Sequence, residues 1–170
     1  MTNRVILVPY NPDWPRRFEE EPSVLGALFA SVEVVIEHVG STAVPGHGAK
    51  PVIDSIVGVR QLAEIETRIP LLEVAGYEYV PEYEKQLSER RDFRKPRVGT
   101  REFHLHCVVE GSEFWIRQLA FRDYLRAHPE TSSAYYDLKR DLAARLTKAG
   151  YTDAKSSFIE SVLAAAMEGS

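Results

Sequence analysis

Apolar residues along this chain follow two regimes. Up to Val109, short β-branched runs alternate with stretches of helical spacing, and beyond it the spacing is helical throughout. Val5 to Val8 alternates and enters the turn-rich Tyr10-Asn11-Pro12-Asp13-Trp14-Pro15. A helix is predicted to follow, with Asp13 as N-cap and Pro15 in the first turn. Phe18, Val24, Leu25 and Leu28 give it one apolar face, and Pro22, which lacks a backbone donor, marks a break or kink. Val32 to Ile36 and Val52 to Val59 read as strands. Gln61 to Ala75 spaces Leu62, Ile65, Ile69 and Leu72 as one helix that Gly76 stops, with Pro70 near its end. Tyr77 to Val80 reads as another strand, Pro81 to Gly99 is polar and basic, and Glu102 to Val109 resumes alternation.

Three helices fit the last third. Ser112 is placed to cap the first, which carries Phe114, Trp115, Leu119, Phe121 and Leu125 and ends at His128-Pro129. The second carries Tyr135, Leu138, Leu142 and Leu146 and is stopped by Gly150, and the third carries Phe158, Ile159, Val162, Leu163 and Ala166. Mixed elements first and helices afterwards predict an α+β fold: a small mixed β-sheet with helices packed on one face and a helical C-terminal third.

Composition narrows the function classes. With 170 residues and 44% apolar content, the chain suits one domain over residues 1–170, burying roughly 70% of its unfolded surface. A net charge of −4 argues against nucleic acid or membrane binding through a global basic field. Cys107 is the sole cysteine, which excludes an intramolecular disulfide and a cysteine-rich zinc site. No apolar leader or bilayer-spanning run occurs, so a cytoplasmic protein is expected. The oligomeric state is left open.

The chemistry concentrates in Glu37 to Val59, EHVGSTAVPGHGAKPVIDSIVGV. Gly40 and Ser41 would let backbone approach a ligand and offer N–H and hydroxyl donors suited to phosphate, or they form a tight turn. Asp54 interrupts a strand of Val52, Ile53, Ile56 and Val57, where a carboxylate needs a partner: a metal ion, Lys50, or a backbone donor. Glu102, His104 and His106 alternate and would share one strand face, as ligands or as histidines satisfied by hydrogen bonds. His38 is expected to orient the loop through a backbone hydrogen bond, and His47 to be exposed. Arg90, Arg91, Arg94, Lys95, Arg97 and Arg101 crowd one segment, where arginine forks suit phosphate and a solvated hairpin is the alternative. No GxxxxGK[ST] pattern occurs, which argues against a P-loop kinase, and Gly46-x-Gly48 is too short for a dinucleotide fingerprint.

Four blocks in order resemble the GrpB family of bacterial proteins: Tyr10-Asn11-Pro12-Asp13-Trp14; Glu37 to Gly46 with Ala49-Lys50-Pro51-Val52-Ile53-Asp54; His104-Leu105-His106; and Phe121-Arg122-Asp123-Tyr124-Leu125-Arg126. That family is similar to the nucleotidyltransferase superfold, whose signature is Gly-Ser after one strand and a paired Asp-x-Asp or Asp-x-Glu on the next. Relatives fused to dephospho-coenzyme A kinase associate it with nucleotide or coenzyme A metabolism.

The resemblance implies phosphate binding by Gly40, Ser41 and Thr42, with Arg91 and Arg94 favoured among the arginines, and catalysis by Asp54 with Lys50 neutralising charge. The second carboxylate position is Ile56, so one carboxylate must be completed from elsewhere or the chemistry is absent. Asp54 with His104 and His106 would form a mixed N/O set for a divalent metal, Mg, Mn or Zn being the candidates, and suits zinc, manganese or iron better than magnesium. Two functions follow from the resemblance: a metal-assisted nucleotidyltransferase acting on a small acceptor, or a non-catalytic module that binds a nucleotide or another phosphorylated metabolite.

Overall fold

The computed structural model describes residues 4–169. Strands β1 (Val35–Val39), β2 (Ile53–Val59), β3 (Glu78–Tyr79), β4 (Arg90–Lys95) and β5 (Phe103–Val109) form one sheet in the order β1-β2-β5-β4-β3. β2 and β5 are parallel and the other pairs antiparallel, which makes the sheet mixed, as the sequence predicts. Helices α1 (Trp14–Leu28), α2 (Ala63–Glu66) and α3 (Ile69–Val74) precede the centre of the sheet or cross over it. Four more close the chain: α4 (Glu113–Ala127), α5 (Pro129–Arg145), α6 (Lys148–Ala154) and α7 (Ser156–Glu168). Among the described residues no helix is long and apolar enough to cross a membrane.

Strand alternation divides the core in two. Val57 and Val59 of β2, Phe93 of β4, and Leu105 and Cys107 of β5 pack with Leu25, Phe29, Ile65 and Leu72 on one face. Ile56 and Val108 face the other way and meet Val39 and Trp115 of α4. Each fully buried aliphatic side chain here stabilises the fold by roughly 1.5–3 kcal/mol. The expectation of helices on one face is therefore corrected. β2 and β5 bury apolar side chains on both faces, Val57, Val59, Leu105 and Cys107 on one and Ile56 and Val108 on the other, so each face needs cover.

Other boundaries differ for local reasons. α1 runs unbroken through Pro22, because the stripe Trp14, Phe18, Glu21, Leu25 packs both before and after it and offsets one lost backbone bond. Gln61 to Ala75 splits into α2 and α3, with Pro70 in the first turn of the second helix, the place where its missing N–H costs least. Gly76 follows α3 with φ +99°, the left-handed stop that its position predicts. Gly150 lies inside α6 and stops nothing, so the last third holds four helices. The alternation at Val5 to Val8 yields a single bridge, Val8 to Ala49. β4 was hidden in the charged segment, where Asp92 and Phe93 are its buried residues.

Two histidines serve as structural pins. His38 stacks on Phe18 of α1 at 4.7 Å, and its Nε2 is 2.9 Å from Thr42 Oγ1, a side-chain bond where a backbone one was expected. His47, expected to be exposed, is buried: its Nδ1 is 2.8 Å from Ser132 Oγ of α5 and its ring stacks on Tyr135. The loop is drawn inward because α5 lies over it.

Burial chiefly holds His38 and His47 neutral, with Asp54 opposing it at His38 and Lys139 reinforcing it at His47; their pKa values fall from 6.5 to about 4 and about 3. Below about pH 6.5 the unfolded chain binds protons that the folded chain refuses. Stability is thus complete above that pH and falls toward acid, by up to about 1.4 kcal/mol per pH unit for each histidine. Urea denaturation of wild type and His47→Gln over the window from about pH 6.5 down to 5 should show the smaller slope in the variant. Gly58 is a second test of the packing, since a Cβ there would lie 2.8 Å from the Trp115 ring. Gly58→Ala should lower stability by about 1–3 kcal/mol in thermal denaturation, and an unchanged midpoint would show that α4 shifts without cost.

Candidate functional site

The site forms at the C-terminal end of β1 and the N-terminal ends of β2 and β5. Parallel pairing sets Asp54 opposite His104 and Ile56 opposite His106, so Asp54, His104 and His106 share the face turned toward α4. One ligand atom from each of the three lies within 4.8 Å of the others. Asp54 Oδ1 is 3.3 Å from His106 Nε2 and 3.6 Å from His104 Nδ1. The three side chains are 30%, 37% and 19% exposed for Asp54, His104 and His106, so the cluster opens to solvent on one side.

Behind this cluster stands Asp92 on β4, opposite His106 in the register. Its Oδ1 is 2.6 Å from His106 Nδ1, and Arg90 Nε donates to its other oxygen at 3.1 Å. His106 is thereby held between two carboxylates. Burial opposes its proton, but the bonds to Asp54 and Asp92 outweigh burial and raise its pKa to about 9. Burial would likewise raise Asp54, yet the two histidines hold it below the usual carboxylate range. With Nδ1 committed to Asp92, Nε2 is the nitrogen that faces Asp54, the arrangement by which a carboxylate orients a ligating histidine.

Gly40 brings the main chain against the carboxylate. Its φ is +74°, and a Cβ at that position would lie 2.8 Å from Asp54 Oδ2. A side chain could neither adopt this backbone easily nor fit, which explains glycine before Ser41. The 3-10 turn Ser41–Ala43 follows. α4 clamps this segment from outside: Arg122 donates to Glu37 Oε2 at 2.6 Å and His38 O at 3.0 Å, and Arg126 Nε donates to Ala43 O at 2.8 Å. Thr42 lines the wall, but its hydroxyl is taken by His38.

A cleft of about 530 Å³ opens over these residues, walled on the far side by α4 to α7. Of the residues expected from sequence, Gly40, Ser41, Thr42, Lys50, Asp54, His104 and His106 all line it. Arg91 and Arg94 do not. Alternation turns Arg91 to the face of Phe93, where it pairs with Glu66 and Glu84. Arg94 shares the face of His104 but is engaged by Glu78. Arg90 is the arginine of β4 that reaches the cleft. Glu102 stays at the surface with Arg17, 3.1 Å away.

Sequence reading also missed Asp92, Lys139 and Lys155. Lys139 had a legible signal, since it falls in the buried stripe Tyr135, Lys139, Leu142 of α5. Its Nζ donates to Ser41 Oγ at 2.8 Å and to Gly48 O at 3.2 Å, tying α5 to the glycine-rich loop. Burial first, then the charges of Lys155 and Lys50, lower its pKa to about 7. Lys155 is lowered to about 8 and Lys50 is lowered as well, burial leading in both and Asp54 opposing it. One cleft thus joins an N/O donor set, a close-packed Gly-Ser turn and several cations.

Residues 4–165 match the family described as GrpB protein. The glutamate-rich protein GrpB of Alkalihalophilus pseudofirmus is 34% identical over 165 residues, covering 94% of each chain. The crystal structure of the conserved protein GrpB from Enterococcus faecalis superposes with a TM-score of 0.87 at 34% identity, covering 96% of this chain and 98% of that one. The UPF0157 protein YqkA of Bacillus subtilis is 36% identical, and the match spans 40% of its length. A dephospho-CoA kinase of Mycolicibacterium paratuberculosis is 28% identical over 163 residues, again 40% of that protein. On the family match and these relatives, the chain belongs to the GrpB family.

Proposed function

We propose that this protein is a metal-assisted nucleotidyltransferase acting on a small acceptor. The observation that carries the reading is the packing of the Gly40-Ser41 turn onto Asp54, beside His104 and His106, at the floor of a cation-lined cleft. Asp54 Oδ1, a nitrogen of His104 and His106 Nε2 would hold the ion. This N₂O set, with Asp92 fixing His106, fits Zn²⁺ or Mn²⁺ better than Mg²⁺ and leaves positions for water and substrate. When bound, the ion would supply Lewis-acid polarisation of a phosphoryl oxygen.

The chain's own residues account for the rest. Ser41 and the turn's N–H groups would bind phosphate oxygens, and Lys50 would neutralise charge that develops on the leaving group. The acceptor oxygen forms a bond to the α-phosphorus as the bond from that phosphorus to the bridging oxygen breaks. Pyrophosphate leaves with the electron pair, and the acceptor proton is released to solvent water. The segment resembling this chain within a dephospho-CoA kinase supports an association with nucleotide chemistry.

Ile56 favours a second reading. It sits on the face of Asp54, where the superfold carries its other carboxylate, and is fully buried against Val39, Val108 and Trp115. A protein that kept the cleft and lost catalysis would be a nucleotide- or phosphometabolite-binding module. Calorimetry with Zn²⁺, Mn²⁺ and Mg²⁺, with and without a nucleoside triphosphate, separates the two. A gain in nucleotide affinity on adding metal, which Asp54→Ala removes while part of the metal-free binding survives, is expected for the transferase. Nucleotide binding indifferent to metal and to Asp54→Ala would favour the binding module.

Asp92→Asn tests the donor set independently. It should weaken Zn²⁺ binding about 10–100-fold without unfolding the chain, through loss of the carboxylate that orients His106. Unchanged affinity would remove His106 from the donor set.

A further inference from the structure

The cleft has a second end that the donor set does not use. Lys50 arrives from the loop before β2, Lys139 from the middle of α5, and Lys155 from the junction of α6 and α7. A loop early in the chain and two neighbouring parts of the helical third thus send ammonium groups to one wall. Lys139 is 3% exposed, yet among the described residues none of the three forms an ion pair with a carboxylate. Three other buried or half-buried cations have carboxylate partners: Arg122 is paired with Glu37 and Asp123, Arg91 with Glu66 and Glu84, and Lys95 with Glu21.

Tyrosine rings take the place of counter-charges. Lys139 Nζ lies 4.7 Å from the Tyr135 ring centroid, and Lys50 and Lys155 approach the Tyr151 ring at 5.8 Å and 5.0 Å. A ring face attracts an ammonium weakly and holds it in place, but it does not neutralise three like charges facing one cavity. Asp54 acts on Lys50 and Lys155 only at a distance and is itself engaged by the histidines. Gathered, oriented and unpaired cations are costly in a free protein, and an anion of matching charge relieves that cost.

We propose that Lys50, Lys139 and Lys155, with the Ser41 hydroxyl, form a subsite for two or more linked phosphates, a di- or triphosphate group. A single phosphate would leave part of the positive charge unmatched, whereas a phosphate chain can span from Ser41 along the lysine wall. The inference extends the transferase reading, for which these phosphates would belong to the nucleotide donor. The subsite itself needs no metal.

The test is calorimetric titration of the full chain, in metal-free buffer, with tripolyphosphate, pyrophosphate and orthophosphate. Affinity should rise with the number of linked phosphates. Lys139→Met and Lys155→Met should each weaken tripolyphosphate binding about tenfold or more, while the exposed control Lys85→Met leaves it unchanged. Lys155→Gln serves as the milder substitution, and thermal denaturation checks that each variant is folded. In buffers of different ionisation heat at mildly alkaline pH, binding should take up protons, because burial leaves the free lysines partly deprotonated and the bound anion restores their charge.

Nucleoside triphosphate titrated alongside identifies the source: tighter binding than tripolyphosphate assigns the phosphates to a nucleotide, and equal binding to the phosphate chain alone. Asp54→Asn should keep tripolyphosphate binding, so loss of the metal reading and loss of this subsite are separable. Orthophosphate binding as tightly as tripolyphosphate, no binding of any of the three, or affinity unchanged in folded Lys139→Met and Lys155→Met would each overturn the proposal.

Discussion

The parallel pairing of β2 with β5 is the constraint on which the site depends. It sets Asp54 beside His104 and Ile56 beside His106, and a slip of one residue would carry both histidines into the opposite core with Leu105 and Cys107. The register is strongly specified because one face of the pair packs Val57 and Val59 of β2 and Leu105 and Cys107 of β5 into the core, while the other carries Asp54, His104 and His106, so a slip would bury polar groups in the apolar core. The donor cluster is therefore secured by hydrophobic burial elsewhere in the same strands. Gly40 then fixes the turn against Asp54 at a distance that only a residue without Cβ allows.

Electrostatics divide the cleft into two ends. At one, Asp54 and Asp92 enclose His106, so negative charge is matched by a proton in the free protein. At the other, three lysines stand with aromatic rings in place of carboxylates. The two ends meet at the Gly40-Ser41 turn, which touches Asp54 on one side and Lys139 on the other. The lysines give the cleft a positive wall beside the carboxylate cluster.

The C-terminal helices supply half of this site and also its rigidity. α4 clamps the turn through Arg122 and Arg126, and α5 pins the following loop through Lys139 and through Ser132 on His47. A Cβ on Gly48 would run into the Tyr136 ring, so the loop lies flat on α5 as well. The helical third is thus a wall of the cleft and not merely cover for the sheet.

The sequence by itself determined the mixed sheet, the helical C-terminal third, the Gly-Ser turn and the alternation that puts His104 and His106 on one face. These are local properties, since period two and period 3.6 and the backbone freedom of glycine can be read from neighbouring residues. What it did not disclose depended on partners far along the chain. Arg91 and Arg90 differ by one position in the same basic run, and only the pairing of β4 with β5 decided that Arg90 faces the cleft and Arg91 turns to Glu66 and Glu84. His47 looked like a loop residue until α5 lay over it. Lys50 lies about 90 to 105 residues before Lys139 and Lys155 in the chain, so their convergence, without an ion-pairing carboxylate among the described residues, was decided by tertiary packing alone. Burial and charge pairing are properties of the assembled surface, which no local stretch of sequence contains.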